Sequence, residues 1–256
     1  MDLLGYILFI FAGLFFGLFG SGGSIIIIPV LIYIFKIPIY EATTYSLLLV
    51  FLVSFFGTWK HIKTRNFNIN NIIYFALPSL LFTCFSRAFL FPSIPTDIPY
   101  FNISKHTALM ILFSIIVFFC GISLLKNRTI YIHINLKVLL VLMGVFVGLL
   151  SGLLGVGGGF IIVPSLIIFA NMNIKESAAS ALFVISLNTC LALVLEVTVF
   201  QFKFDFLFIS YILISGLIGL ILGLKLLNKI DVDIIKKMFS ISLLFLSLGI
   251  LIIELL

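Results

Sequence analysis

Residues 148–170 read GLLSGLLGVGGGFIIVPSLIIFA, and the way this stretch is read decides the fold. Gly148, Gly152, Gly155, Gly157, Gly158 and Gly159 fall within twelve positions of strongly apolar sequence, Gly144 precedes them, and Pro164 follows. In a helix interior, glycine costs roughly 1 kcal/mol relative to alanine and proline about 3. So dense a cluster predicts a broken backbone inside an apolar segment.

The stretch has a twin. Residues 13–35 read GLFFGLFGSGGSIIIIPVLIYIF, and setting Gly13 on Gly148 fixes an offset of 135 residues. At that offset Gly17 meets Gly152, Gly20 meets Gly155, Gly22 and Gly23 meet Gly157 and Gly158, Pro29 meets Pro164, and Glu41 meets Glu176, all without a gap. Ungapped glycine and proline matches are hard to obtain by chance, even in apolar sequence. The chain therefore divides into two repeats, 1–127 and 128–256, as in many transporters.

Composition sets the class. Of 256 residues, 63% are hydrophobic and only 9% charged, against roughly 25% charged in soluble domains. Apolar runs approach the roughly 20 residues that span a bilayer. The net charge of +6 does not point to nucleic acid, because the basic residues sit in short loops between apolar runs, where orientation signals belong. Cys84, Cys120 and Cys190 lie in apolar segments and suggest neither disulfides nor a metal site. The apolar amino terminus lacks a positive n-region and reads as part of the mature protein.

Each repeat holds one glycine-interrupted region, Leu3–Phe35 or Leu136–Ala170, and three ordinary apolar runs. The ordinary runs cover Thr43–Trp59, Ile72–Phe91, Thr107–Leu125, Ser177–Phe200, Phe206–Leu227 and Ile234–Leu256. As a single helix, Leu3–Phe35 would reach about 50 Å, too long for a hydrocarbon core of about 30 Å. Two full spans would need about 40 residues. A re-entrant hairpin fits the length.

The charges agree. If all eight regions cross, the basic residues outside Arg87 divide seven against seven. If the interrupted regions turn back, the split is eleven against three, which places the loops at 60–65, 126–137, 171–176 and 225–237 in the cytoplasm and both termini outside. Three crossings per repeat invert the second repeat relative to the first. The expected fold is an all-α polytopic membrane protein of two inverted repeats, each a glycine-broken hairpin plus three transmembrane helices.

In this plan the segments after the glycines start as helices pointing their N-termini inward, where unpaired N–H groups and the helix dipole favour an anion. Ser21, Gly22, Gly23, Ser24, Gly157, Gly158 and Gly159 are the candidate site residues, with Ser46 and Ser180 on the helices that follow. The spacings Gly13–Gly17 and Gly148–Gly152 also suit close helix packing. A dinucleotide fingerprint, with Glu176 as its acidic residue, would need a soluble strand–turn–helix unit.

The stretch GLLSGLLGVGGGFIIVPSLI, followed by ESAASALFVI, resembles the TauE/SafE-type sulfite exporter family, also called TSUP. The first copy departs from the family pattern: Ser24 replaces the third glycine, and EATTYSLL retains only Ala42, Ser46 and Leu47. The resemblance implies export of small sulfur-containing or organic anions such as sulfite and sulfonates, coupled to protons, from a multi-pass protein of the cell membrane (the inner membrane in a Gram-negative cell). The alternative is an uncoupled anion channel of the same architecture.

Within the spans, Arg87 either complements an anion or snorkels to the interface, and Glu196 is the candidate for proton coupling. Asn188 bonds either substrate or another helix. His61, His106 and His133 read as loop or interface residues. No reactive dyad, metal site or nucleotide loop suggests an enzyme or a cofactor. The expected partners are the small anion and the lipid bilayer, not nucleic acid; a homodimer is compatible with the sequence.

Overall fold

The computed structural model describes residues 2–63, 69–98, 103–125, 135–155, 157–170, 172–227 and 229–255. Arg65, Lys126, Arg128, His133 and the expected repeat boundary lie outside them. Apolar sequence of this kind, with no lipid-side partner for its N–H and C=O groups, has to satisfy its backbone internally, and does so as helix.

In the first half, helix α1 (Asp2–Phe19) precedes the break, and α2 (Ser24–Pro29) follows it and continues as a π-helical stretch, Val30–Ile34. Helix α3 spans Ile39–Lys63, and α4 (Ile69–Phe85) runs through a π-helical turn, Ser86–Leu90, into the short α5, Phe91–Ser93. A two-residue hairpin, β1 (Asp97–Ile98) with β2 (Ile103–Ser104), leads to α6, Lys105–Leu125. The second half comprises α7 (Leu136–Leu154), α8 (Gly159–Phe169), α9 (Ile174–Thr198), α10 (Phe206–Leu227) and α11 (Val232–Leu255). The protein is an all-α polytopic membrane protein. Among the described residues, seven helices are long and apolar enough to cross a membrane. They include α7, the first arm of the second interrupted region.

The offset read from the glycines governs the elements themselves. Helices α1 and α7 end at Phe19 and Leu154, α2 and α8 start at Ser24 and Gly159, and α3 and α9 cover Ile39–Lys63 and Ile174–Thr198, each pair 135 residues apart. Both first arms end on a left-handed glycine, Gly20 (φ +72°) or Gly155 (φ +67°). Its N–H donates to the carbonyl four residues back, Phe16 or Ser151, at 2.9 Å. Only glycine takes that conformation without strain, which is why the helix stops there.

Both interrupted regions fold back. Phe35, at the end of the first, packs on Tyr6 and Phe9 near the start of α1, with ring centroids 5.8 and 5.9 Å apart. In the second, Met143 and Phe146 of α7 line one groove with Pro164, Ile168 and Phe169 of α8.

The packing glycines belong to two parallel helix pairs. Gly13 and Gly17 of α1 lie against Gly216, Leu220 and Gly223 of α10, and Gly148 and Gly152 of α7 lie against Ser79, Thr83 and Ser86 on α4 and its π-turn. An added Cβ at any of these four glycines would run into backbone of the partner helix. The small-residue spacing thus serves helix contact here, and α3 packs on α9 and α6 on α11 between the two pairs.

Candidate functional site

The two breaks meet. A Cβ built on Gly159, at the start of α8, would stand 2.5 Å from Cβ of Ser21 in the first break. Gly157 (φ +70°) faces Val50 and Ile185, the mid-helix residues of α3 and α9. Gly20 rests on Ala178 at the start of α9, and Gly155 rests on Thr43 at the start of α3, again 135 residues apart.

Around this contact lie buried hydroxyls with no hydrogen-bond partner: Ser21 in the first break, Ser46 on α3, Ser151 at the end of α7, and Ser177 and Ser180 on α9. Gly158 abuts Ser151, Val50 lies one turn past Ser46, and Ala178 sits between Ser177 and Ser180. Buried hydroxyls are normally satisfied, so five unpartnered ones on four segments need an explanation. Ser24 is not among them, since its Oγ donates to the Ser21 carbonyl at 2.9 Å.

The two helix starts differ. No side chain caps α8, and among the described residues its N–H groups of Ile161 and Ile162 share the Gly158 carbonyl. In the first copy the N–H groups of Ser24, Ile25 and Ile26 already reach the carbonyls of Ser21, Gly22 and Gly23. Ser24, in place of a third glycine, tightens this end through its own bond to Ser21. Among the described residues the two ends therefore differ: the short α2 folds its donors back on Ser21, Gly22 and Gly23, whereas those of Ile161 and Ile162 share one carbonyl.

The described residues of the two breaks touch, and Ile28, Thr43, Leu153 and Leu154 beside them line a void of only about 10 Å³. A cavity of about 490 Å³ lies instead over Arg87 and Glu196, lined also by Tyr40, Phe91, Lys105 and His106.

Arg87 does not snorkel: its side chain and that of Glu196 are both 0% exposed. Nε of Arg87 donates to Oε1 of Glu196 at 2.5 Å, and the Tyr40 hydroxyl donates to Oε2 at 2.8 Å. The guanidinium also donates to Thr43 Oγ1 at 3.2 Å and Thr44 Oγ1 at 3.0 Å, and lies 4.3 Å from the ring centre of Phe91. Both threonine hydroxyls in turn donate to the Tyr40 carbonyl. Arg87 sits on the π-helical turn Ser86–Leu90, where the extra residue per turn re-aims side chains. The network touches the second break directly, because Gly152 packs on the Arg87 backbone and Gly155 on Thr43.

Asn188 makes a helix-to-helix bond, its Nδ2 donating to Ser79 Oγ at 2.6 Å while Oδ1 stays unpartnered. The sequence reading missed Thr43 and Thr44, which it took only as departures within EATTYSLL. It read His106 as a loop or interface residue; His106 stands at the start of α6 and lines the cavity, with Nε2 unpartnered and Nδ1 3.6 Å from Glu254. A Thr-Thr pair that meets an arginine 43 or 44 positions later in the chain leaves no signal in one dimension.

Against known proteins, the family model described as "Sulfite exporter TauE/SafE" matches residues 6–250. A probable membrane transporter protein of Methanocaldococcus jannaschii is 29% identical over 248 residues, covering 90% of this chain and 86% of that protein. A probable membrane transporter protein of Bacillus subtilis is 25% identical over 234 residues, covering 88% and 90%. No solved structure matches. With the glycine breaks, the paired helices and a match over nearly its whole length, the chain belongs to the TauE/SafE sulfite exporter family of membrane transporters.

Proposed function

We propose that this protein is a proton-coupled secondary transporter that exports small sulfur-containing or organic anions of the sulfite and sulfonate type. The observation that carries the reading is the meeting of the two glycine breaks at the mid-helix level of α3 and α9, with Ser21, Ser46, Ser151, Ser177 and Ser180 buried and unpartnered around it. An oxyanion accepts hydrogen bonds and supplies none, so donors left free at a helix start suit it.

The closed breaks and the cavity over Arg87 fit one state of an alternating-access cycle, in which one repeat rocks against the other. The two regions enter from opposite faces as re-entrant hairpins, with both termini outside. Supporting this, Tyr6, Phe35 and Phe208 gather at one end of the molecule, and Lys137 lies over the ring of Tyr74 at the other. The cavity then opens toward the outer face, since Thr96 and Ser104 belong to the α5–α6 connection and Lys105 and His106 begin α6.

Flux of labelled sulfite, sulfoacetate and sulfate in inverted vesicles, with and without a pH gradient, tests the reading. Gradient-dependent flux of the first two is the expected result. Flux indifferent to the gradient would favour a channel, and none of any anion would refute anion transport.

A further inference from the structure

Arg87 and Glu196 neutralise each other inside the span region, and the network around them is arranged so that this pairing is exchangeable. Glu196 is held through one oxygen by Arg87 and through the other by Tyr40, while the remaining guanidinium donors are met only by the neutral hydroxyls of Thr43 and Thr44. Arg87 is among the residues around the 490 Å³ cavity, its guanidinium covered by Tyr40 and Phe91, so an oxyanion that moves past these rings meets a bidentate fork with a single charged partner to displace.

Burial makes the electrostatics strict. An unpaired charge in such a site is strongly disfavoured. An anion on Arg87 beside an ionised Glu196 leaves one net negative charge; a protonated Glu196 beside a bare Arg87 leaves one positive. Only two loadings are neutral, the closed ion pair and the anion on Arg87 with the proton on Glu196. Resting on the transport reading above, we infer that Arg87 and Glu196 load one monovalent oxyanion and one proton together, which makes transport electroneutral.

The proton arrives from the cavity water on Glu196 Oε1, the Nε–H···Oε1 bond breaks, and the freed guanidinium takes the anion. The Tyr40 hydroxyl keeps its place on Oε2. The other titratable or charged groups facing this site are Lys105 and His106 at the start of α6, both lining the cavity, with Glu254 and Tyr33 behind His106. Exposed Lys203 and Asp205 follow Phe202, whose N–H donates to the Glu196 carbonyl. From α7 and α8 no titratable side chain faces the pair.

The pair also breaks the repeat. The offset of 135 carries Arg87 to Leu222 and Thr43 and Thr44 to Ala178 and Ala179. Arg87 thus has no cationic counterpart, while Glu196 is matched by His61, so one anion is loaded per cycle.

The test uses the full chain in sealed proteoliposomes and labelled methanesulfonate, whose charge stays at −1 across the pH range used. One-to-one loading predicts about tenfold accumulation per unit of pH gradient and none from a potassium–valinomycin potential of about 59 mV, the one-charge equivalent of that ratio. The variant Glu196→Gln mimics the protonated state, and its accumulation is expected to follow voltage and ignore pH. If that variant carries no flux, binding to purified protein decides: Glu196→Gln at pH 8 should bind methanesulfonate as tightly as wild type at pH 5. Wild-type accumulation driven by voltage alone, gradient response surviving in Glu196→Gln, or the same pH dependence of binding in both proteins would overturn the inference and leave anion transport standing. A wild type that moves no anion under either gradient would refute the transport reading itself.

Discussion

Gly159 and Ser21, 138 positions apart in the sequence, touch where the two interrupted regions meet, and the space between them has no room for a methyl group. The contact joins the start of α8 to the first break and closes the centre of the protein. Replacing Gly159 by alanine places a Cβ 2.5 Å from that of Ser21 and also against Ile185. Ile185 meets it with its terminal Cδ1, which can turn aside, but Ser21 presents Cβ and Cα, which cannot, so the breaks must separate. Flux in vesicles is expected to fall at least tenfold with folded protein still in the membrane.

Gly158→Val tests the backbone rather than the contact. Gly158 has φ +70°, and its added Cβ would also lie 2.8 Å from Val147 Cγ1. A left-handed conformation costs a side chain roughly 1–2 kcal/mol, more when β-branched. Transport should be abolished while expression persists. Normal flux would show that this break has no part in the pathway. Gly249 serves as a control: nothing lies within 4 Å of its added Cβ, so Gly249→Ala should leave flux unchanged and raise stability by up to about 1 kcal/mol.

Removing one member of the buried ion pair leaves the other uncompensated. Glu196→Ala and Arg87→Ala should each cost about 3–5 kcal/mol, while apolar replacement of both is near neutral or stabilising. Thermal melts in detergent should therefore show both single variants well below wild type and Arg87→Met with Glu196→Leu close to it, though without transport. Additive losses in the double variant would show that the two groups do not interact.

Much of this was readable in one dimension, for physical reasons. Apolar helices in lipid leave few alternatives, so the six ordinary runs reappear as α3, α4 with its extension, α6, α9, α10 and α11, with ends shifted by a few residues. The glycine register carried the offset of 135 into the helix boundaries because left-handed glycines end both first arms at matching points. Arg87, Glu196, Ser21, Ser46 and Ser180 stood out as polar groups in apolar surroundings. Their partners did not: Tyr40, Thr43 and Thr44 reach Arg87 only because α3 lies beside the π-turn of α4. The π-turn itself, and the way Ser24 satisfies the first break, depend on local geometry that composition does not encode.

The orientation predicts labelling. In a background with Cys84, Cys120 and Cys190 replaced by alanine, Lys36→Cys should react with a membrane-impermeant thiol reagent only from outside, and Lys175→Cys only from the cytoplasmic face. Reaction of both from one face would mean that the second interrupted region crosses.

The most direct measurement of the central claim is protection of a single thiol at the meeting of the breaks. With Ser21→Cys in the same cysteine-free background, the rate of alkylation by N-ethylmaleimide is measured with and without methanesulfonate. Occupation of the site by the anion predicts a several-fold slower, saturable reaction, with chloride far less effective. An alkylation rate unaffected by methanesulfonate, in protein that still transports it, would place the anion elsewhere and contradict the account.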